Sequence, residues 1–395
     1  MTPLRGRERL WTEMKSTLRR TWAEVDLDAL SHNFEVIRAR VAPGTALLGV
    51  VKANAYGHGA VRVAERLERL GAGYLAVSNI DECAQLRAHG IALPVLMLGY
   101  TPPDQTERIL GLDMTQTVPS LSAAEAYSAA AVRVGGRMRV HIKLDTGMSR
   151  LGFPCGDADF ERSLAEILAV LRLPGLDVEG VFTHFSVSDE RAEDSVRFTR
   201  MQHDRFLRMV GAVEARGGFR FRMKHCCNSG GIANYPEWAG DMVRCGIILY
   251  GVGELAGELG MRPVMTLKTT VSAVETLPAG TPVGYGRTFQ TARPSRIAVL
   301  PIGYADGLHR ALSNRLEVLI LGGRARCVGR ICMDMCMIDV TDLPEVRVGG
   351  EVEVFGARLP VEETAERCGT ISYELLCAVS GRVPRVYLSD GKREG

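Results

Sequence analysis

Between residues 46 and 249 the chain alternates short apolar runs with longer amphipathic stretches, and this alternation constrains its fold more than any other feature. The runs are residues 46–51, 74–78, 94–98, 114–118, 138–144, 178–183, 222–226 and 242–249. Between the first two, Ala60, Val63, Ala64, Leu67 and Leu70 recur at three- and four-residue spacing among charged residues, which predicts an amphipathic helix ended by Gly71. Eight strand–helix alternations are what a closed α/β barrel, the (β/α)8 TIM type, requires; an open doubly wound sheet gives the same one-dimensional pattern. The count of eight favours the barrel.

After about Gly260 the long amphipathic stretches stop. Short β-rich runs separated by Gly and Pro take over, at residues 267–274, 296–300, 316–321, 338–340 and 351–355. Residues 361–367 and 372–379 read as short helices. The division expected is an N-terminal extension over 1–20, a barrel domain over 21–262 and a mostly β C-terminal domain over 263–395.

Of 395 residues 46% are apolar and 24% charged, enough for two cores, and the formal net charge of +2 is too small to imply a nucleic-acid partner. The ten cysteines include no C-x-x-C pair, so neither a zinc ribbon nor a dithiol redox motif is written here, no metal is expected, and a reduced cytoplasmic setting fits. The first twenty residues lack the apolar core of a secretory signal, and the longest apolar stretches, such as 297–302, cannot cross a bilayer. No membrane partner is expected.

The first run ends in Val50-Val51-Lys52-Ala53-Asn54-Ala55-Tyr56-Gly57-His58-Gly59. At the C-terminal end of a barrel strand, Lys52 would stand in the active-site mouth. Desolvation favours its neutral amine, the form that condenses with an aldehyde, and the most plausible aldehyde is pyridoxal phosphate. A strand-end lysine that snorkels to solvent would look the same in sequence.

That segment resembles the cofactor attachment site of the alanine racemase family, and further matches follow in order. They are Lys143-Leu-Asp145-Thr-Gly147-Met148-Ser-Arg150, Thr183-His184-Phe185, Asn228-Ser229, Arg244-Cys-Gly246-Ile247, Gly284-Tyr285-Gly286, Gly303-Tyr304-Ala305-Asp306-Gly307, Gly329-Arg330-Ile-Cys332-Met333-Asp334, Ser372-Tyr373-Glu374 and Arg382-Val-Pro384-Arg385. The resemblance spans residues 21–387. It implies an isomerase that interconverts L- and D-alanine, supplies D-alanine for peptidoglycan, and works by two bases, Lys52 and Tyr285, on the external aldimine of pyridoxal 5'-phosphate. A phenol titrates near about 10, so Tyr285 needs help from neighbours, which the family pattern supplies as His184 linked to Arg244.

The resemblance further implies Arg244 at the pyridine nitrogen and Arg150 near the cofactor's phenolic oxygen. Tyr56, Tyr373, Asn228, Ser229, Gly246 and Ile247 would serve the phosphate. Arg150, Tyr304, Cys332, Met333 and Asp334 would face the substrate, and Lys143 would be a carbamylation site. Family members are homodimers with shared sites, so the second-domain residues are expected to complete the partner's site. Without the family, Lys143 reads as a buried lysine paired with Asp145, Ser229 as a helix N-cap, Cys332 as a packed thiol and His141 as core. Ser149 stands where Gly or Asn is usual, and Cys245 where Pro is. A serine or broad-specificity racemase is the alternative. A decarboxylase of similar build lacks its phosphate loop here, and a cofactor-binding protein would need neither Gly-Tyr-Gly nor Cys-Met-Asp.

Overall fold

A computed structural model describes residues 20–393; apart from Arg20, the N-terminal extension expected over 1–20 lies outside them. The chain divides into two compact units. One comprises Ser31–Ala55 and Ala60–Leu249; the other comprises the described residues up to Leu30, Tyr56–Gly59, and the described residues from Tyr250 onward.

The first unit is a nearly closed barrel of eight parallel strands. Around the wall they run Met242–Cys245, Ala46–Val50, Tyr74–Val77, Val95–Met97, Met114–Val118, Met138–Asp145, Leu176–Phe182 and Met223–His225. Every neighbouring pair in that order is parallel. The last and first strands are joined by Asp241 N–H to Lys224 O (2.9 Å) and Arg244 N–H to Cys227 O (3.0 Å). Helices such as Ala60–Arg69, which buries Ala60, Val63, Ala64 and Leu67, cover the outside. Among the barrel runs one departs from its predicted form: the strand expected over 242–249 stops at Cys245, and after Gly246 a 3-10 turn, Ile247–Tyr250, replaces it; in the second unit the run expected over 267–274 is two strands, Met265–Thr270 and Ala273–Leu277.

The second unit is built on a ten-stranded sheet. Its order is Ala273–Leu277, Ser295–Leu300, Cys336–Asp339, Gly323–Cys327, Glu317–Ile320, Glu351–Phe355, Met265–Thr270, Thr21–Asp26, Arg385–Ser389 and Lys392–Arg393. The strand Thr21–Asp26 is antiparallel to Met265–Thr270 and parallel to Arg385–Ser389, so the start and end of the chain meet in one sheet. The helices Val361–Cys368 and Ser372–Ala378 form where the sequence predicts them.

Candidate active site

In a parallel barrel the functional groups collect where the strands end. Lys52 follows the strand Ala46–Val50 and opens a turn that is left-handed: φ is 51° at Ala53, 54° at Asn54, 53° at Ala55 and 51° at Tyr56. Such backbone costs about 1–2 kcal/mol per residue outside glycine, so it persists only where bonds hold it. The Ala55 N–H donates to Val51 O at 2.8 Å. Glu82 accepts from Ala53 N at 2.7 Å and Ser78 N at 2.8 Å, and Asn54 Oδ1 accepts from Ala60 N at 2.9 Å. At Gly59 (φ 98°), a Cβ would come within 1.9 Å of the Tyr387 hydroxyl.

The strand Met138–Asp145 buries Lys143, whose amine lies 4.7 Å from the centre of the Phe182 ring. Burial first, then the charges of Arg244 and Arg150, pushes its pKa well below the ordinary lysine value. No ion pair joins it to Asp145. That carboxylate accepts instead from Gly147 N (2.9 Å) and Ser149 N (3.0 Å), shaping the loop that carries the exposed Arg150. Ser149 sits at φ 56°, which explains why Gly or Asn is the usual residue there.

Arg244 is 3% exposed and bonds to no carboxylate. Its Nη1 donates to His225 Nδ1 (3.0 Å) and His225 O (3.3 Å), and its Nη2 to Thr183 O (2.8 Å), Cys226 O (3.0 Å) and His184 Nδ1 (3.3 Å). Burial lowers its pKa to about 10, so it stays cationic at neutral pH. Burial, then Arg244, Lys143, Arg150 and Lys52, pushes His184 well below the usual imidazole value. A neutral His184 that accepts at Nδ1 carries its proton on Nε2.

Asn228, not Ser229, caps the helix Ser229–Asn234: its Oδ1 accepts from Gly231 N at 3.0 Å, while its Nδ2 donates to Phe185 O at 3.1 Å. Ile248 N–H lies 3.5 Å from Ser229 Oγ, which puts the loop bearing Gly246 and Ile247 beside this helix. Cys245, at the end of its strand, has its thiol raised to about 12 by burial.

The second unit holds the remaining candidates. Tyr56 packs at 5.1 Å from Tyr250 and 5.9 Å from Tyr373, ring centre to ring centre. Burial, then Tyr373, raises its pKa, so its hydroxyl keeps its proton. Tyr285 is 71% exposed in a tight turn flanked by Gly284 (φ 69°) and Gly286 (φ 70°), where a Cβ on Gly286 would meet the Arg330 guanidinium at 3.1 Å. Tyr304 N–H donates to Cys332 O and Ala305 N–H to Met333 O, both at 3.0 Å, which sets Tyr304 beside the Cys332–Asp334 segment. The carboxylate of Asp334 is held by Arg382 at 2.7 Å, and the buried Asp306 by Arg382 Nε at 3.0 Å. Cys332 is half-buried, and burial raises its thiol.

Among the described residues no cluster of metal-ligating side chains occurs and no helix is long and apolar enough to cross a membrane. Three polar residues that spacing did not single out, or left as core, lie bonded behind Arg244: His225, His141 and Glu179.

Residues 25–254 match the family model of the alanine racemase N-terminal domain, and residues 264–387 that of its C-terminal domain. An alanine racemase of Desulforamulus reducens is 46% identical over 372 residues, covering 93% of this chain and 98% of that protein. The solved alanine racemase of Clostridium difficile superposes with a TM-score of 0.90 at 38% identity, covering 95% of this chain and 97% of that one. The same Clostridium difficile enzyme in complex with cycloserine gives a TM-score of 0.87 at 37% identity, with the same two coverages, 95% and 97%.

Proposed function

The chain belongs to the alanine racemase family of pyridoxal-phosphate-dependent isomerases, and we propose that it interconverts L- and D-alanine with Lys52 and Tyr285 as its two proton carriers. The observation that carries this reading is the mouth of the barrel. Lys52, Lys143 and Arg150 all bear electrostatically on His184, as does a buried Arg244 that no carboxylate neutralises. Such a site fits an anionic group with a ring nitrogen to receive a donor. When bound, pyridoxal phosphate supplies an electron-withdrawing ring that makes the substrate's Cα proton removable.

The chain's residues then have separate tasks. Lys52 Nζ holds or gives the proton on one face of Cα, and Tyr285 Oη does so on the other. Arg244 spends its Nη hydrogens on the barrel wall, which leaves Nε–H to donate to the ring nitrogen. An arginine does not surrender that proton, and this favours return of a proton to Cα over transfer of the amino group. His184, protonated on Nε2, offers that N–H as a donor to the oxygen of the partner subunit's Tyr285. Ser229, Asn228, Gly246, Ile247, Tyr56 and Tyr373 hold the phosphate. Arg150 and the backbone of Met333 hold the anionic parts of cofactor and substrate, and Tyr304, Tyr373 and Met333 crowd the space beyond Cβ.

We assign the working form to a homodimer in which the partner subunit's Tyr285 completes each site. The joint exposure of Tyr304 (44%) and Met333 (54%), which stand in adjoining segments, supports this, because exposed apolar side chains grouped together mark an interaction surface. Lys143, held toward its neutral amine by burial and then by the charges of Arg244 and Arg150, is a fitting acceptor for carbon dioxide, and the resulting carbamate would neutralise Arg150. A cytoplasmic location and a supply of D-alanine to peptidoglycan complete the reading. The test is incubation of the cofactor-loaded protein with L-alanine in deuterated water. Deuterium at Cα together with D-alanine is expected; absence of both would overturn the reading.

A further inference from the structure

Behind Arg244, four barrel strands contribute a file of polar side chains to which the proposed reaction gives no task. Arg244 Nη1 lies 3.0 Å from His225 Nδ1; His225 Nε2 lies 3.0 Å from His141 Nδ1; His141 Nε2 lies 3.2 Å from Glu179 Oε2; and Tyr74 donates its hydroxyl to the same oxygen at 2.6 Å. Both histidines are fully buried. Barrel interiors are ordinarily filled by branched apolar side chains, and a polar file there is costly unless every member is bonded. Room has been made for it: a Cβ on Gly180 would lie 2.7 Å from the His141 ring.

The two ends of the file dictate its direction. Arginine can only donate and an ionised carboxylate can only accept. His225 must therefore accept at Nδ1 and carry its proton on Nε2, and His141 must do the same so that its Nε2–H reaches Glu179. A cationic imidazole anywhere in the file would set two donors against each other. We propose that Glu179 is a positioning residue for Arg244: through His141 and His225 it presents a lone pair that orients the guanidinium, and it supplies the negative charge that Arg244 lacks in its own contacts. This rests on the assignment of Arg244 to the cofactor ring. Burial acts to raise the Glu179 pKa, but its bonds to His141 and Tyr74 outweigh that and hold it down to about 2. Burial likewise keeps both histidines neutral, with Glu179 partly opposing this at His141 and Arg244 reinforcing it at His225. Arg139 and Arg222 are the other charged groups beside this carboxylate.

Two measurements test it. In the full-length loaded protein, 15N spectra of the histidine rings should show His141 and His225 neutral and protonated on Nε2 from about pH 6 to pH 9; an Nδ1-protonated or cationic ring at either position overturns the file. A double-mutant cycle on pyridoxal phosphate affinity then separates positioning from general support. Glu179→Gln alone should weaken binding about tenfold, and less than about twofold when Arg244 is already lysine. No effect of Glu179→Gln, or an equal effect in both backgrounds, would overturn the proposal while leaving Arg244 at the ring. An Arg244→Lys protein with unchanged affinity would remove Arg244 from the cofactor and take both readings down together. If Glu179→Gln does not fold, the spectra of the unaltered protein still decide.

Discussion

In the barrel unit Arg244 and Lys143 lie under packing, 3% and 7% exposed, and the Arg244 guanidinium is fixed by bonds across several strands. In the second unit Tyr285 is 71% exposed and its position is fixed by backbone alone, through two glycines at positive φ. The barrel groups are thus preorganised by burial, and the Tyr285 turn by its backbone geometry. The difference teaches where each half is vulnerable. Changes in the barrel should cost stability and cofactor affinity, whereas changes in the Tyr285 turn should cost chemistry alone.

The largest expected effect comes from the proton carriers. Lys52→Ala and Tyr285→Phe should each lower racemisation in both directions by roughly 10²–10⁴-fold or more. Tyr285→Phe should leave the thermal midpoint within about 1 °C, because the turn that sets this side chain is made by backbone and no hydrogen bond from the described residues of its own subunit holds the hydroxyl. Parallel turnover and melting measurements check this, and a large drop in melting temperature for Tyr285→Phe would break the contrast.

Acid should act on the barrel. His141, His184 and His225 have folded-state pKa values pushed down by burial, so below the ordinary imidazole pKa the unfolded chain binds more protons than the folded one. Stability therefore rises with pH there, is fully present above about pH 6.5, and falls by up to ~1.4 kcal/mol per pH unit for each histidine as the pH drops further. Urea midpoints at pH 7.5 and pH 5.5 should separate clearly; equal midpoints would mean that these imidazoles are not held neutral.

The smallest effect sharpens the same comparison in a loop. Ser149 holds a left-handed backbone that glycine adopts without strain, so Ser149→Gly should stabilise by roughly 0.5 to 1 kcal/mol. Chemical denaturation would measure it, and a loss of stability would contradict the strain argument.

These contrasts also mark what could be read in the sequence. The barrel strands were legible because each carries its signal within five to eight residues, between helices of clear period. The strand Gly323–Cys327 was not, because Arg324 and Arg326 face outward and make it look like a loop. Nor could the sequence assign Thr21–Asp26 to a sheet, since its partners stand more than two hundred residues away. Lys52, Arg244 and Tyr285 stood out as parts of motifs. His225, His141 and Glu179 did not, because their meaning lies in bonds between strands, such as the one that joins His141 to a partner 84 residues on.

The central claim, that a barrel-borne lysine works with the partner subunit's tyrosine, has one direct test. Lys52→Ala and Tyr285→Phe proteins are dissociated, mixed in equal amounts and reassembled, and turnover is compared with either alone. Shared sites predict recovery to about a quarter of normal activity, since half the dimers are hybrids and each hybrid has one intact site. Activity no higher than that of the separate variants would contradict it.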